Sequence, residues 1–327
     1  MSGHTTFYSE QAANRRDSIL LVLVVAVILG ALGFAIGYGT SGAVATGIAV
    51  TSGALVLAFF LSVGSYFGGD QLVLSTSGAK EVNAQSAPQL MNVVQEMAIA
   101  ANVPMPKVYI IDDTAPNAFA TGRDPQHASV AITTGLLQKL DREELQGVLG
   151  HELSHVRNFD IRFALLVAVL VGSIALLADF FLRFTFWGGG RRSSSDNDRG
   201  GGALVALVYV LAIVLAVLAP IFARLVQLAV SRQREYLADA SSVELTRNPH
   251  GLEEALAKIA SDKEVLEVAN RATQHLYVVN PIKKLDDSRS GLFSTHPPIL
   301  DRINRLRAMT GEAPLDASSS QSLAGLD

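Results

Sequence analysis

The chain contains no cysteine, which excludes disulfide staples, thiolate zinc sites, iron–sulfur clusters and cysteine nucleophiles and leaves His, Asp and Glu to hold any metal. The absence fits a reducing compartment. Charge is scarce as well: 17% of the 327 residues are charged against 49% hydrophobic, outside the ordinary balance of a soluble globular chain. Nor is there an excess of positive charge. The formal net charge is -4, and Lys and Arg are scattered rather than gathered into a stripe, so nucleic acid is not an expected partner.

No charged residue occurs between Asp17 and Asp70, a stretch long enough for two membrane spans of roughly 20 residues each. Spans are expected at about 19–38 and 43–66, with the turn at Gly37-Tyr38-Gly39-Thr40-Ser41-Gly42. A cleavable signal peptide ending near Ala43-Val44-Ala45 competes with this, but the first run exceeds a usual signal core and a second span follows. An uncleaved hairpin is therefore expected. A second apolar pair, about 163–182 and 203–223, is interrupted by Asp179 and joined by a Gly-rich polar loop from Trp187 to Ser195. A buried core hairpin has a similar pattern, yet the absence of charge between Arg199 and Arg224 favours spanning.

Positive residues orient these spans. Arg15, Arg16, Arg157, Arg162, Arg224, Arg232 and Arg234 flank the ends that should face the cytoplasm, while Arg183, Arg191, Arg192 and Arg199 in the second loop run against the rule. Two polar pieces, 67–160 and 224–310, together have the size of one domain. The hairpin 163–223 interrupts them, residues 1–66 precede them, and the small polar residues of 311–327 are expected to be disordered.

His151-Glu152-Leu153-Ser154-His155 has the His-Glu-x-x-His pattern. Two imidazoles four apart share one helix face and can both reach a zinc ion, leaving Glu152 beside a metal-bound water. A helix is expected there, because Asp141 with Glu144 makes a capping-box start and Leu145, Val148, Leu149 and Val156 follow at helical spacing.

A catalytic zinc needs a third protein ligand, and Glu235, in Arg234-Glu235-Tyr236-Leu237-Ala238-Asp239, is the choice made here. Asp239 lies one turn further on the same face and can accept a hydrogen bond from a ligand histidine. The charge pattern taken alone, with Arg232 and Arg234 adjacent, also fits a solvated face. The His pair and Glu235 can meet only across an even number of crossings, which two spans provide. Each lies 12 positions from the nearer apolar boundary, about 18 Å along a continuous helix.

These residues resemble the HtpX-like integral-membrane zinc metallopeptidases, relatives of the CAAX prenyl endopeptidases. The resemblance runs through two early spans, Pro116-Asn117-Ala118-Phe119-Ala120-Thr121-Gly122, His151 to Asp160, a further hairpin, Glu235 to Asp239, and Phe293-Ser294-Thr295-His296-Pro297-Pro298 with Arg302. It implies a mainly α fold with a small β-sheet: a multi-span membrane protein whose zincin-like catalytic domain is interrupted by a transmembrane hairpin. It further implies one Zn²⁺ per chain on His151, His155 and Glu235, with Glu152 as general base. Asn117, Ala118, Phe119 and Ala120 would form the edge along which an extended substrate pairs. An ordinary turn into a core strand at Ala128–Thr133 explains that segment equally well. His296 either caps a helix or donates to the oxyanion of the tetrahedral intermediate.

By the same resemblance the chain sits in the prokaryotic cell (inner) membrane with its catalytic domain facing the cytoplasm, degrading misfolded membrane proteins or exposed cytoplasmic segments. Its partners would be unfolded or membrane protein substrates and the lipid bilayer. A prenyl-protein endopeptidase, or a non-catalytic scaffold or chaperone with a structural zinc, are the alternatives.

Overall fold

The computed structural model describes residues 7–166, 213, 232–262, 264, 277 and 297–315. The chain divides into two units, one comprising Met1–Arg15, Phe67–Leu165 and Gln227–Asp327, the other Arg16–Tyr66 and Leu166–Val226. Most of the second apolar pair lies outside the described residues, as does His296.

Two long helices open the chain, α1 (Phe7–Ser41) and α2 (Val44–Thr76). Both are long and apolar enough to cross a membrane, judged by length and composition. The break between them falls at Gly42, whose φ of 69° suits a residue without Cβ. The turn was expected to start at Gly37, but helix continues through that residue. At Gly37 a Cβ would stand 2.5 Å from the Thr46 carbonyl oxygen, so this glycine serves the close approach of α1 and α2 rather than the turn.

In the other unit, β1 (Lys80–Val82), β2 (Lys107–Ile111), β3 (Ala118–Gly122) and β4 (Ala128–Thr133) form a mixed sheet in the order β1-β2-β4-β3. β2 and β4 are parallel, the outer pairs antiparallel, and Ala120 lies opposite Val130. The helices are α3 (Pro88–Ala101), α4 (Thr134–Lys139), α5 (Arg142–Arg157), α6 (Arg232–Thr246), α7 (Pro249–Ser261) and α8 (Ile299–Thr310). The described residues are thus mostly helical with one small mixed sheet.

Strand alternation gives the sheet two apolar faces. Val108, Ala118, Ala120, Val130 and Ile132 pack toward the helices with Val94, Met97, Val148, Leu149, Leu153, Leu252 and Leu256. Tyr109, Ile111, Phe119 and Ala131 pack with Val73, Leu74, Leu165 and Tyr277. The Phe119 and Tyr277 rings meet edge to face at 5.0 Å, an arrangement their quadrupoles favour. After α8 the chain stays on that helix as far as Leu315. Asn304 exchanges hydrogen bonds with the Leu315 backbone at 2.7 and 3.1 Å, and residues 316–327 lie outside the described ones.

Candidate metal centre

Helix α5 starts as its sequence predicts. Asp141 accepts from the Glu144 amide while Glu144 reaches back to the Asp141 amide, a complete capping box. Lys258 closes on the buried Glu144 carboxylate at 2.7 Å. One face of α5 supplies Leu145, Val148, Leu149, Leu153 and Val156 to the core.

Two glycines then let other helices come close. A Cβ on Gly147 would stand 2.5 Å from the Leu252 amide nitrogen, and one on Gly150 would stand 2.9 Å from Ser242 Oγ. Ser242 instead donates to the Gly147 carbonyl at 2.6 Å. This close seat of α6 on α5 brings Glu235 to the histidines.

His151 Nε2 and His155 Nε2 are 3.2 Å apart. Glu235 lies 3.5 Å from each, through Oε2 to His151 and Oε1 to His155. With ligand distances of about 2.0–2.2 Å, corners of a zinc tetrahedron are separated by about 3.3–3.6 Å, and the two Nε2 atoms and the Glu235 carboxylate are gathered on that scale. The tautomers agree with that use. His151 Nδ1 donates to Asp239 Oδ1 at 2.9 Å and His155 Nδ1 to Asp160 Oδ2 at 2.9 Å, which turns the lone pair of each Nε2 toward the common point. Two nitrogen lone pairs and a carboxylate aimed at one place repel each other unless a cation stands among them.

The site is buried: His151 is 1% exposed, Glu152 2% and Arg302 1%. Burial works against a charged His151, but its hydrogen bonds to Asp239 and Glu235 prevail and its pKa is pushed up to about 9. His155 is raised likewise, burial being outweighed chiefly by the Asp160 hydrogen bond. Burial raises the Glu152 carboxyl, with the two imidazoles and the Ala120 amide pulling against it and Glu235 adding to it. Asp239 is held low despite its burial by the Arg302 guanidinium and the His151 hydrogen bond. The two histidine shifts describe carboxylates that favour positive charge at this point, whether a proton or a metal ion.

Among the residues singled out in the sequence, His151, Glu152, His155, Glu235 and Asp239 come together here. Asn117 lies just before β3 and Ala118 to Ala120 within it, at one end of the sheet order. All four are buried. The Asn117 side-chain oxygen accepts from the Ala118 amide at 3.1 Å, and the Ala120 amide bonds the Glu152 carboxylate.

Three residues had no role at the metal site assigned from the sequence: Asp160, Arg234 and Arg302. Arg302, on α8, donates to Asp239 through Nε at 2.9 Å and Nη2 at 2.7 Å. A second group, His250, Glu253 and Glu312, also clusters, but Arg307 pairs with both of its carboxylates at 2.8 and 3.0 Å.

Comparison with known proteins points the same way. A profile of Peptidase family M48 matches residues 84–310. A protease HtpX homolog of Ligilactobacillus salivarius is 46% identical over 302 residues, 92% of this chain and 99% of the relative. One from Streptococcus uberis is 45% identical over the same shares. One from Listeria monocytogenes is 43% identical over 306 residues, again 92% and 99%.

Proposed function

The chain belongs to peptidase family M48 and is a metalloprotease, and from that premise we propose a membrane-anchored zinc endopeptidase that cleaves unfolded or misfolded membrane and cytoplasm-exposed proteins. The observation that carries this reading is the convergence of His151 Nε2 and His155 Nε2, 3.2 Å apart, on the Glu235 carboxylate, whose Oε2 lies 3.5 Å from the first and Oε1 3.5 Å from the second, with both Nδ1 atoms committed to carboxylates. Those three residues would hold one zinc ion. When bound, zinc supplies Lewis acidity toward water and the scissile carbonyl.

The remaining work belongs to the chain. Glu152 takes a proton from the attacking water and passes it to the leaving amine, a role suited to a carboxyl whose pKa is raised toward the working pH. An extended substrate pairs with the outer edge of β3, where main-chain hydrogen bonds hold it in register with little demand on its sequence. Such pairing suits substrates defined by being unfolded. His296 completes the scheme as oxyanion donor.

Two apolar helices of spanning length support membrane anchoring. In this reading the second apolar pair adds two further spans, and the positive flanks support a catalytic domain on the cytoplasmic side of a prokaryotic cell membrane. The test is a chelator experiment in detergent with an unfolded soluble protein as substrate. Cleavage that stops on metal removal and returns with one equivalent of zinc supports the reading. Cleavage that continues without metal refutes it.

A further inference from the structure

Asp160 stands where three parts of the site meet. Helix α5 ends at Arg157, and Phe159 takes φ 62°, a left-handed conformation uncommon for an aromatic residue. Helical backbone resumes at Asp160. This kink returns Asp160, five residues beyond His155, to the side of its ring, with Oδ2 2.9 Å from Nδ1. Its other oxygen faces Arg234 Nε at 3.6 Å. Arg234 directly precedes the ligand candidate Glu235, and its guanidinium lies 4.6 Å over the Phe163 ring.

The neighbouring Arg162 anchors a third part. Its Nε donates to the Arg123 carbonyl at 2.7 Å, one residue past the end of β3, and its guanidinium lies 4.9 Å over the Phe159 ring. The chain leaves this unit after Leu165 and re-enters it at Gln227. Residues 159–163 are therefore the outgoing stem of the inserted segment and Arg234 belongs to the returning one. The outgoing stem touches a histidine of the candidate centre, the residue beside Glu235, and the end of the candidate substrate edge.

We propose that Asp160 is a positioning residue for the metal: it fixes the His155 ring with Nε2 toward the ion, and Arg234 fixes Asp160 in turn, so metal retention depends on the two ends of the inserted segment staying clasped. The inference rests on the zinc reading above. Its physical basis is that an imidazole holds a metal through one nitrogen only while something fixes the other, and such partners change metal affinity or activity by about 10–100-fold. The chain Arg234–Asp160–His155 repeats the logic of Arg302–Asp239–His151. The second is closed within helices α5, α6 and α8, whereas the first joins the segment's departure to its return.

The test is zinc release from the full-length protein in detergent to a chelating dye, with the visible spectrum of the cobalt-loaded protein as a second readout and thermal melting as the control for folding. Asp160→Ala is expected to release zinc about 10–100-fold faster and to shift the cobalt bands. Arg234→Gln should also release it faster, and Arg234→Lys should restore most of the retention. Reversing the pair with Asp160→Arg and Arg234→Asp recreates the ion pair but gives His155 no acceptor, so release should stay as fast as in Asp160→Ala. Release at the wild-type rate from Asp160→Ala, or wild-type retention in the reversed pair, overturns the proposal. If Asp160→Ala does not fold, Arg234→Gln decides: faster release supports the clasp and wild-type release overturns it. Wild-type protein that binds no zinc would instead refute the metallopeptidase reading, so the two failures are distinguishable.

Discussion

Arg302 meets Asp239 in a two-point ion pair, Nε to Oδ2 at 2.9 Å and Nη2 to Oδ1 at 2.7 Å, with the guanidinium 1% exposed. The same Oδ1 accepts the His151 ring N–H at 2.9 Å. Among the described residues, and with both imidazoles neutral as metal binding requires, Glu152, Glu235 and Asp239 bring three negative charges to the site against one positive charge on Arg302, while Asp160 and Arg234 offset each other. The residual charge is that of a site which becomes neutral on taking a divalent cation.

Removing Arg302 should therefore damage the fold as well as the site. Arg302→Met takes the guanidinium away from the buried Asp239 carboxylate, which keeps the His151 hydrogen bond, and should cost about 3–5 kcal/mol, read as a lower melting temperature. Arg302→Lys keeps the charge but loses the fork and should fall between the two. Asp239→Asn is expected to weaken zinc binding by about 10–100-fold, measured by chelator competition.

The helix packing makes a separate prediction. Gly147→Ala forces a Cβ to 2.5 Å from the Leu252 amide nitrogen, where backbone must shift, and should destabilise by about 1–3 kcal/mol. Gly53→Ala meets nothing within 4 Å and should leave the melting temperature unchanged or raise it. Equal effects of the two would contradict the close seat of α7 on α5.

Proton release on zinc binding follows from the histidine pair. The folded His151 pKa of about 9 lies above its ordinary 6.5. In metal-free protein its proton therefore adds stability that is fully present below pH 6.5 and is lost as the pH rises through 9. Zinc must displace that proton, so at pH 7 at least one proton should leave per zinc bound, and apparent affinity should climb with pH until it levels near 9. Calorimetry in buffers of different ionisation enthalpy measures the release. No buffer dependence would contradict it.

Much of this site is legible in the sequence because it is local. The His151-to-His155 spacing, the Asp141–Glu144 cap and the apolar stripe of α5 all obey helical periodicity, and Glu235 with Asp239 repeats it on α6. Asp160 is illegible for the converse reason. It reaches His155 only because Phe159 breaks the helix at φ 62°, and no periodic pattern carries a residue five positions on to the same face. Arg302 partners a residue 63 positions away, and in a sequence a buried arginine looks like any surface one. The α1–α2 turn is expected over Gly37–Gly42 and falls at the last residue of that stretch, because glycines that permit helix contact and glycines that end helices are the same letter. The second apolar pair beyond Leu166 and the role of His296 lie outside the described residues.

The most direct measurement is zinc stoichiometry together with cleavage of an unfolded reporter protein, made on wild type and Glu152→Gln in the same detergent preparation. The account predicts one zinc per chain in both proteins, with cleavage in the variant reduced by about 10²–10⁴-fold. Cleavage by Glu152→Gln at the wild-type rate, or wild-type protein that cleaves without binding zinc, would contradict it.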